Sequence, residues 1–217
     1  MIHKWATHVF SMFFSPSCQR RRRVIESVAL DILVGRSEAR PLTATAWLSL
    51  IGLGALLAQS ADLGWLLLPS LFLFGALCVI ALFDARYLVI PDGPLLFLLL
   101  CGLASMVANT PEAIAEQLAG GALGFATMQA LALAYKRLRG QPGVGEGDAR
   151  LFGVAGVWLG FEGLPSCLVY ATLSALFSAL VGLRQGTLKD AHTPLPFGPH
   201  LALGLWFAWV FGQIEFG

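Results

Sequence analysis

Long apolar runs separated by short polar breaks dominate the chain from residue 42 onward. Seven stand out, at approximately 42–58, 65–83, 95–108, 118–135, 151–161, 164–183 and 199–214. A helix needs ~20 apolar residues to cross a bilayer core, with a lower limit of about 17. The third and fifth runs fall short, so they either draw on their flanks or form incomplete helices. None shows the alternation of a membrane barrel strand, so the pattern predicts helices. The expected fold is all-α: a polytopic membrane helix bundle of about seven transmembrane helices. Small residues recur in "AGGALGFA" (119–126) and "GVAGVWLG" (153–160), where they would let helices pack closely. Residues 5–15 are apolar but too short to span, and Arg20–Arg23 follow them. A secretory signal has the reverse order. Residues 1–40 therefore read as a basic cytoplasmic or interfacial lead segment near lipid headgroups, or as a disordered basic tail. Residues 41–217 read as one membrane-embedded domain.

Composition agrees. Hydrophobic residues make up 57% of the chain and charged residues only 12%, against about a quarter charged in a soluble domain. The net charge of +1 gives no sign of a nucleic-acid partner. Cys18, Cys78, Cys101 and Cys167 form no CxxC pair, and three of them lie inside apolar runs. They read as small packing hydrophobes rather than as a disulfide or metal set. There is no Walker loop and no HExxH. No metal and no cofactor are expected.

Charge also orients the chain. With seven spans and the amino terminus inside, the inner loops are 1–41, 84–94, 136–150 and 184–198. All 14 Lys and Arg then fall inside. The outer segments hold Asp62, Glu112, Glu116, Glu162 and Glu215. This asymmetry predicts a cytoplasmic amino terminus.

Acidic groups touching a membrane are costly and become functional candidates. On the inner face they are Asp84, Asp92, Glu146, Asp148 and Asp190. Asp84 directly follows an apolar run, where a negative charge opposes the helix dipole. Asp92 opens the third span in "PDGPLLF" and is expected to cap that helix, with Pro94 in its first turn. Asp148 opens the fifth span and could cap it, yet a cap alone does not require the preceding Gly143, Gly145 and Gly147, whose backbones can take conformations closed to other residues and approach a neighbour closely. Glu146 reads as a solvated loop charge. Asp84 and Asp148 lie in neighbouring inner loops. If brought together, one would keep a proton. The pair could then activate water as base and protonate a leaving amine as acid, which is metal-free peptide hydrolysis.

Three segments, "FDARYLVIPD" (83–92), "GVGEGDAR" (143–150) and "TPLPFGPHLALG" (193–204), together resemble the type IV prepilin peptidases, the bacterial GxGD aspartyl proteases. The resemblance covers roughly residues 75–215. It implies an intramembrane aspartyl protease architecture, with catalytic aspartates at Asp84 and Asp148. Supporting positions are Gly145 and Gly147 of the GxGD motif, Pro91 and Asp92, Arg150, and the helix-opening Pro196, Phe197, Gly198 and Pro199. It further implies cleavage of a short basic leader from prepilins or pseudopilins, after a glycine and just before their hydrophobic helix. The partners implied are that substrate and the lipid bilayer, at the bacterial inner membrane. The assembly served would be a type IV pilus or a type II secretion system, and self-association is left open.

Two departures qualify the resemblance. Many family members carry an amino-terminal domain with two CxxC pairs and also methylate the new amino terminus. Residues 1–40 hold only Cys18, so a peptidase-only form is expected. Second, Arg150 stands where the family commonly has lysine; its charge would favour ionised Asp148. Two other readings of the same carboxylates are a small proton-coupled carrier and an inactive scaffold of a secretion or pilus apparatus. Against the carrier, the candidates share one face and no internal repeat is evident.

Overall fold

A computed structural model describes residues 67–140, 145–184 and 196–212. All regular structure there is helical: α1 (Leu67–Tyr87), α2 (Asp92–Asn109), a 3₁₀ turn (Pro111–Ala113), α3 (Ile114–Arg139), α4 (Glu146–Arg184) and α5 (Gly198–Phe211). Four of the helical stretches are long and apolar enough to cross a membrane: Leu68–Tyr87, Asp92–Asn109, Pro111–Arg139 and Glu146–Arg184. The predicted run at 42–58 and residues 1–40 lie outside the described residues.

The predicted runs at 65–83, 95–108 and 118–135 fall on α1, α2 and α3. The short third run does draw on its flanks, since α2 covers 18 residues. The runs at 151–161 and 164–183 fall on α4, a 39-residue helix interrupted by Gly160 with φ 71° and ψ 179°. Only glycine adopts that backbone readily. The break also frees Pro165 from an uninterrupted ladder, where its ring would clash with the preceding turn. The first part of α4 therefore remains shorter than a full span. α5 covers 14 residues and is also shorter than a span.

Local chemistry explains the ends. α3 stops at Gly140, whose φ of 71° is left-handed and whose N–H donates to the Lys136 carbonyl at 2.9 Å. Lys136, Arg137 and Arg139 lie in its last turn, where positive charge complements the helix dipole. α1 stops where Leu88 takes a positive φ of 55° and its N–H donates to the Asp84 carbonyl at 2.9 Å. A left-handed leucine is uncommon. Ile90 and Pro91 then return to the interior before α2 begins.

The first part of α4 is central. Residues 151–158 are buried on every side, the pattern of a helix enclosed by others. α5 is similarly enclosed from Gly198 through Trp206. The two glycine-rich stretches singled out in the sequence pack on each other. A Cβ on Gly156 would overlap the Gly120 backbone, and one on Gly120 would stand 2.6 Å from the Gly160 carbonyl carbon. Helix backbones can approach this closely only without side chains between them. Trp158 reaches from α4 to α2, where its Nε1 donates to the Leu98 carbonyl at 3.0 Å beside Gly102. The end of α1, the start of α2 and the starts of α4 and α5 thereby meet at one end of the bundle.

Candidate active site

Asp84 occupies the last turn of α1 and is only 6% exposed. A buried carboxylate needs hydrogen-bond donors. One is the Gly198 N–H at the start of α5, which donates to Asp84 Oδ2 at 2.9 Å. Gly198 is packed so tightly here that a Cβ would stand 2.6 Å from Oδ2. Pro199 follows in the first turn of α5, where proline's missing N–H costs nothing. Pro196 and Phe197 are half-buried and lead into it, and the Leu201 N–H donates to the Phe197 carbonyl at 2.9 Å.

Asp148 lies in the first turn of α4 and is half-buried. The Gly145 N–H donates to its carboxylate. This is the reach-back half of a capping box, in which an acid at the third helical position satisfies a free amide at the helix start. Asp84 and Asp148 are close enough for their charges to act directly on each other. The sequence-distant pair is therefore brought together by the ends of α1 and α4.

Four expectations need correction. Asp92 does not cap α2: the cap position is Pro91, no side-chain cap bond forms, and Asp92 is the first helical residue. Its carboxylate instead pairs with Arg150 of α4, Nη1 to Oδ1 at 2.8 Å. Arg150 thus turns to Asp92 rather than to Asp148, and its Nη2 also stands 3.8 Å from Glu146 Oε2. Glu146 is solvated as expected but opens α4, one turn before Arg150, rather than lying in the loop. Finally, Gly145 and Gly147 have no left-handed backbone; the positive-φ glycines among the described residues are Gly140, Gly160 and Gly212. Space is what these two sites need. A Cβ on Gly147 would stand 3.0 Å from the Ile90 Cβ, and one on Gly145 would stand 3.0 Å from Asp148 Oδ2. The glycines let the α1–α2 loop and the Asp148 carboxylate close in on the start of α4.

Sequence reasoning named Gly198 but not its amide contact with Asp84. It missed Ile90, which fills the space over Gly147, and the buried pair Ser174 and His200, whose Oγ and Nδ1 are 2.9 Å apart. A lone histidine opening an otherwise apolar helix was the one available signal.

A family model for the type IV leader peptidases matches residues 71–181. A prepilin leader peptidase/N-methyltransferase of Pectobacterium carotovorum subsp. carotovorum is 33% identical over 213 residues, 93% of this chain and 74% of that protein. One from Aeromonas hydrophila is 32% identical over 163 residues, 74% of this chain and 55% of that protein. The leader peptidase HopD of Escherichia coli is 33% identical over 136 residues, 62% of this chain and 88% of that protein. No solved structure matches the chain. The chain belongs to the type IV leader peptidase family. It spans about three quarters of the Pectobacterium relative and about half of the Aeromonas one.

Proposed function

We propose that this chain is a membrane-embedded aspartyl endopeptidase that removes the leader of prepilin- or pseudopilin-like proteins, with Asp84 and Asp148 as its catalytic pair. One observation carries the reading: a buried and a half-buried carboxylate, at the end of α1 and the start of α4, are set at one end of an apolar bundle, in a chain of a leader peptidase family. Neighbouring carboxylates share a proton. The ionised member takes a proton from water as the water oxygen attacks the scissile carbonyl. The protonated member gives its proton to the departing amine as the carbon–nitrogen bond breaks. The pair is left with one proton, ready for another turnover.

The rest of the reading follows from charge, length and the family. The site faces the cytoplasm, on the side that carries all 14 Lys and Arg in a seven-span arrangement. The membrane is the bacterial inner membrane and the amino terminus lies inside. A substrate whose basic leader precedes an apolar helix would keep that helix in the bilayer while its leader stays in the cytoplasm. Binding of the helix would contribute much of the affinity.

The test is cleavage of a candidate prepilin by wild type and by Asp84→Asn and Asp148→Asn, each confirmed to insert in the membrane. Both variants should lose at least a thousandfold in rate. Full cleavage by Asp148→Asn would overturn the assignment.

A further inference from the structure

The Gly198 amide that holds Asp84 belongs to a turn that is itself pinned from the other side. His200 lies two residues beyond Gly198, is 2% exposed, and places Nδ1 2.9 Å from Ser174 Oγ. Ser174, on the later part of α4, is 8% exposed, and its hydroxyl also donates to the Ala171 carbonyl at 3.0 Å. His200 is the sole ionisable residue of α5, whose sequence is GPHLALGLWFAWVF.

An imidazole and a hydroxyl buried among apolar groups are unfavourable unless each satisfies the other. An apolar residue at 200 would fill the space without that cost. A hydrogen bond, however, demands distance and direction, whereas apolar contacts let a helix slide or rotate by fractions of an ångström. The bond works in either tautomer. With the Ser174 proton on the Ala171 carbonyl, Nδ1–H donates to Oγ; with the hydroxyl turned to the ring, Nδ1 accepts.

We propose that His200 and Ser174 are positioning residues for Asp84: their hydrogen bond fixes the rotation of the first turn of α5 and so aims the Gly198 N–H at Asp84 Oδ2. This rests on the reading of Asp84 as catalytic. Neither side chain touches substrate; both act through the turn.

The experiment uses the full chain in detergent, with a purified prepilin whose basic leader ends in glycine ahead of its apolar helix. Initial rates give kcat and KM for His200→Leu, Ser174→Ala, the double variant and His200→Asn. Asp84→Asn is the control for the reading beneath. His200→Leu and Ser174→Ala should each lower kcat at least tenfold with KM within twofold. The double variant should be no worse than the worse single variant. His200→Asn, whose amide reaches the Nδ1 position, should recover most of the loss. Wild-type kcat in His200→Leu and Ser174→Ala would overturn the proposal. So would a loss that His200→Asn does not recover, because that marks a role in packing alone. Continued cleavage by Asp84→Asn would instead overturn the catalytic assignment of Asp84.

Discussion

Replacing Gly198 with alanine tests the contact between α5 and Asp84 with a single methyl group. The new Cβ would stand 2.6 Å from Asp84 Oδ2 and 2.8 Å from its Cγ, about 0.8 Å short of the 3.4 Å at which ordinary contact begins. The backbone at 198 does not have a positive φ, so the substitution brings no conformational strain of its own. The strain is steric and falls on the carboxylate. Asp84 sits on a helix anchored by buried Leu73, Leu77 and Ile80, so retreat by the whole helix is resisted. Overpacking of this kind costs about 1–3 kcal/mol. Weakening a hydrogen bond to a charged acceptor costs about 1.5–3 kcal/mol more. A misplacement approaching 1 Å lowers a catalytic rate by about a hundredfold. Gly198→Ala should therefore lose about a hundredfold in kcat for leader cleavage while still inserting in the membrane. Gly93→Ala is the matched control, since a Cβ there meets nothing within 4 Å, and it should keep wild-type kcat. A Gly198→Ala enzyme within threefold of wild type would refute the idea that this contact sets the position of Asp84.

Other substitutions separate the remaining contacts. The Arg150–Asp92 pair joins α4 to α2 with side chains 40% and 53% exposed, so a double-mutant cycle on unfolding should give a coupling of about 0.2–1 kcal/mol; several kcal/mol would mean that the pair is desolvated. Gly120→Leu should destabilise the bundle by at least about 1–3 kcal/mol, measured by thermal unfolding in detergent, because the atoms in its way are the backbone of α4 and cannot rotate aside. Gly160→Ala forces a side chain onto φ 71° and ψ 179°, a region essentially reserved for glycine, and should cost about 1–3 kcal/mol in the same assay, whereas Gly75→Ala, in open space on α1, should be neutral or stabilising.

The membrane character and the helices were legible because both depend on short-range patterns. A run such as 65–83 is apolar whatever surrounds it, and Gly140 ends α3 through its own backbone. Asp84 stood out for the same reason, as a charge directly after such a run. The close approach that the glycines allow was legible, but not the neighbour that each one admits. "GVGEGDAR" allowed either unusual backbone conformations or a close approach, and what Gly147 provides is room for Ile90, a residue 57 positions earlier in the chain. Whether a glycine serves conformation or space depends on what lies opposite, and sequence does not record that.

The carboxylates divide along the same line. Sequence by itself determined helices apolar enough to cross a membrane and set Asp84, Asp92 and Asp148 at their ends, because hydrophobicity acts residue by residue. Only the tertiary structure decided the distant partners, Asp92 with Arg150 and Asp84 with the Gly198 amide, whereas the contact of Asp148 with Gly145 is local to the start of α4. The physical reason is that a partner is chosen by where packed helix ends meet. The glycine contact between α3 and α4 and the enclosed α5 set that meeting point, at sequence separations as large as the 114 residues between Asp84 and Gly198.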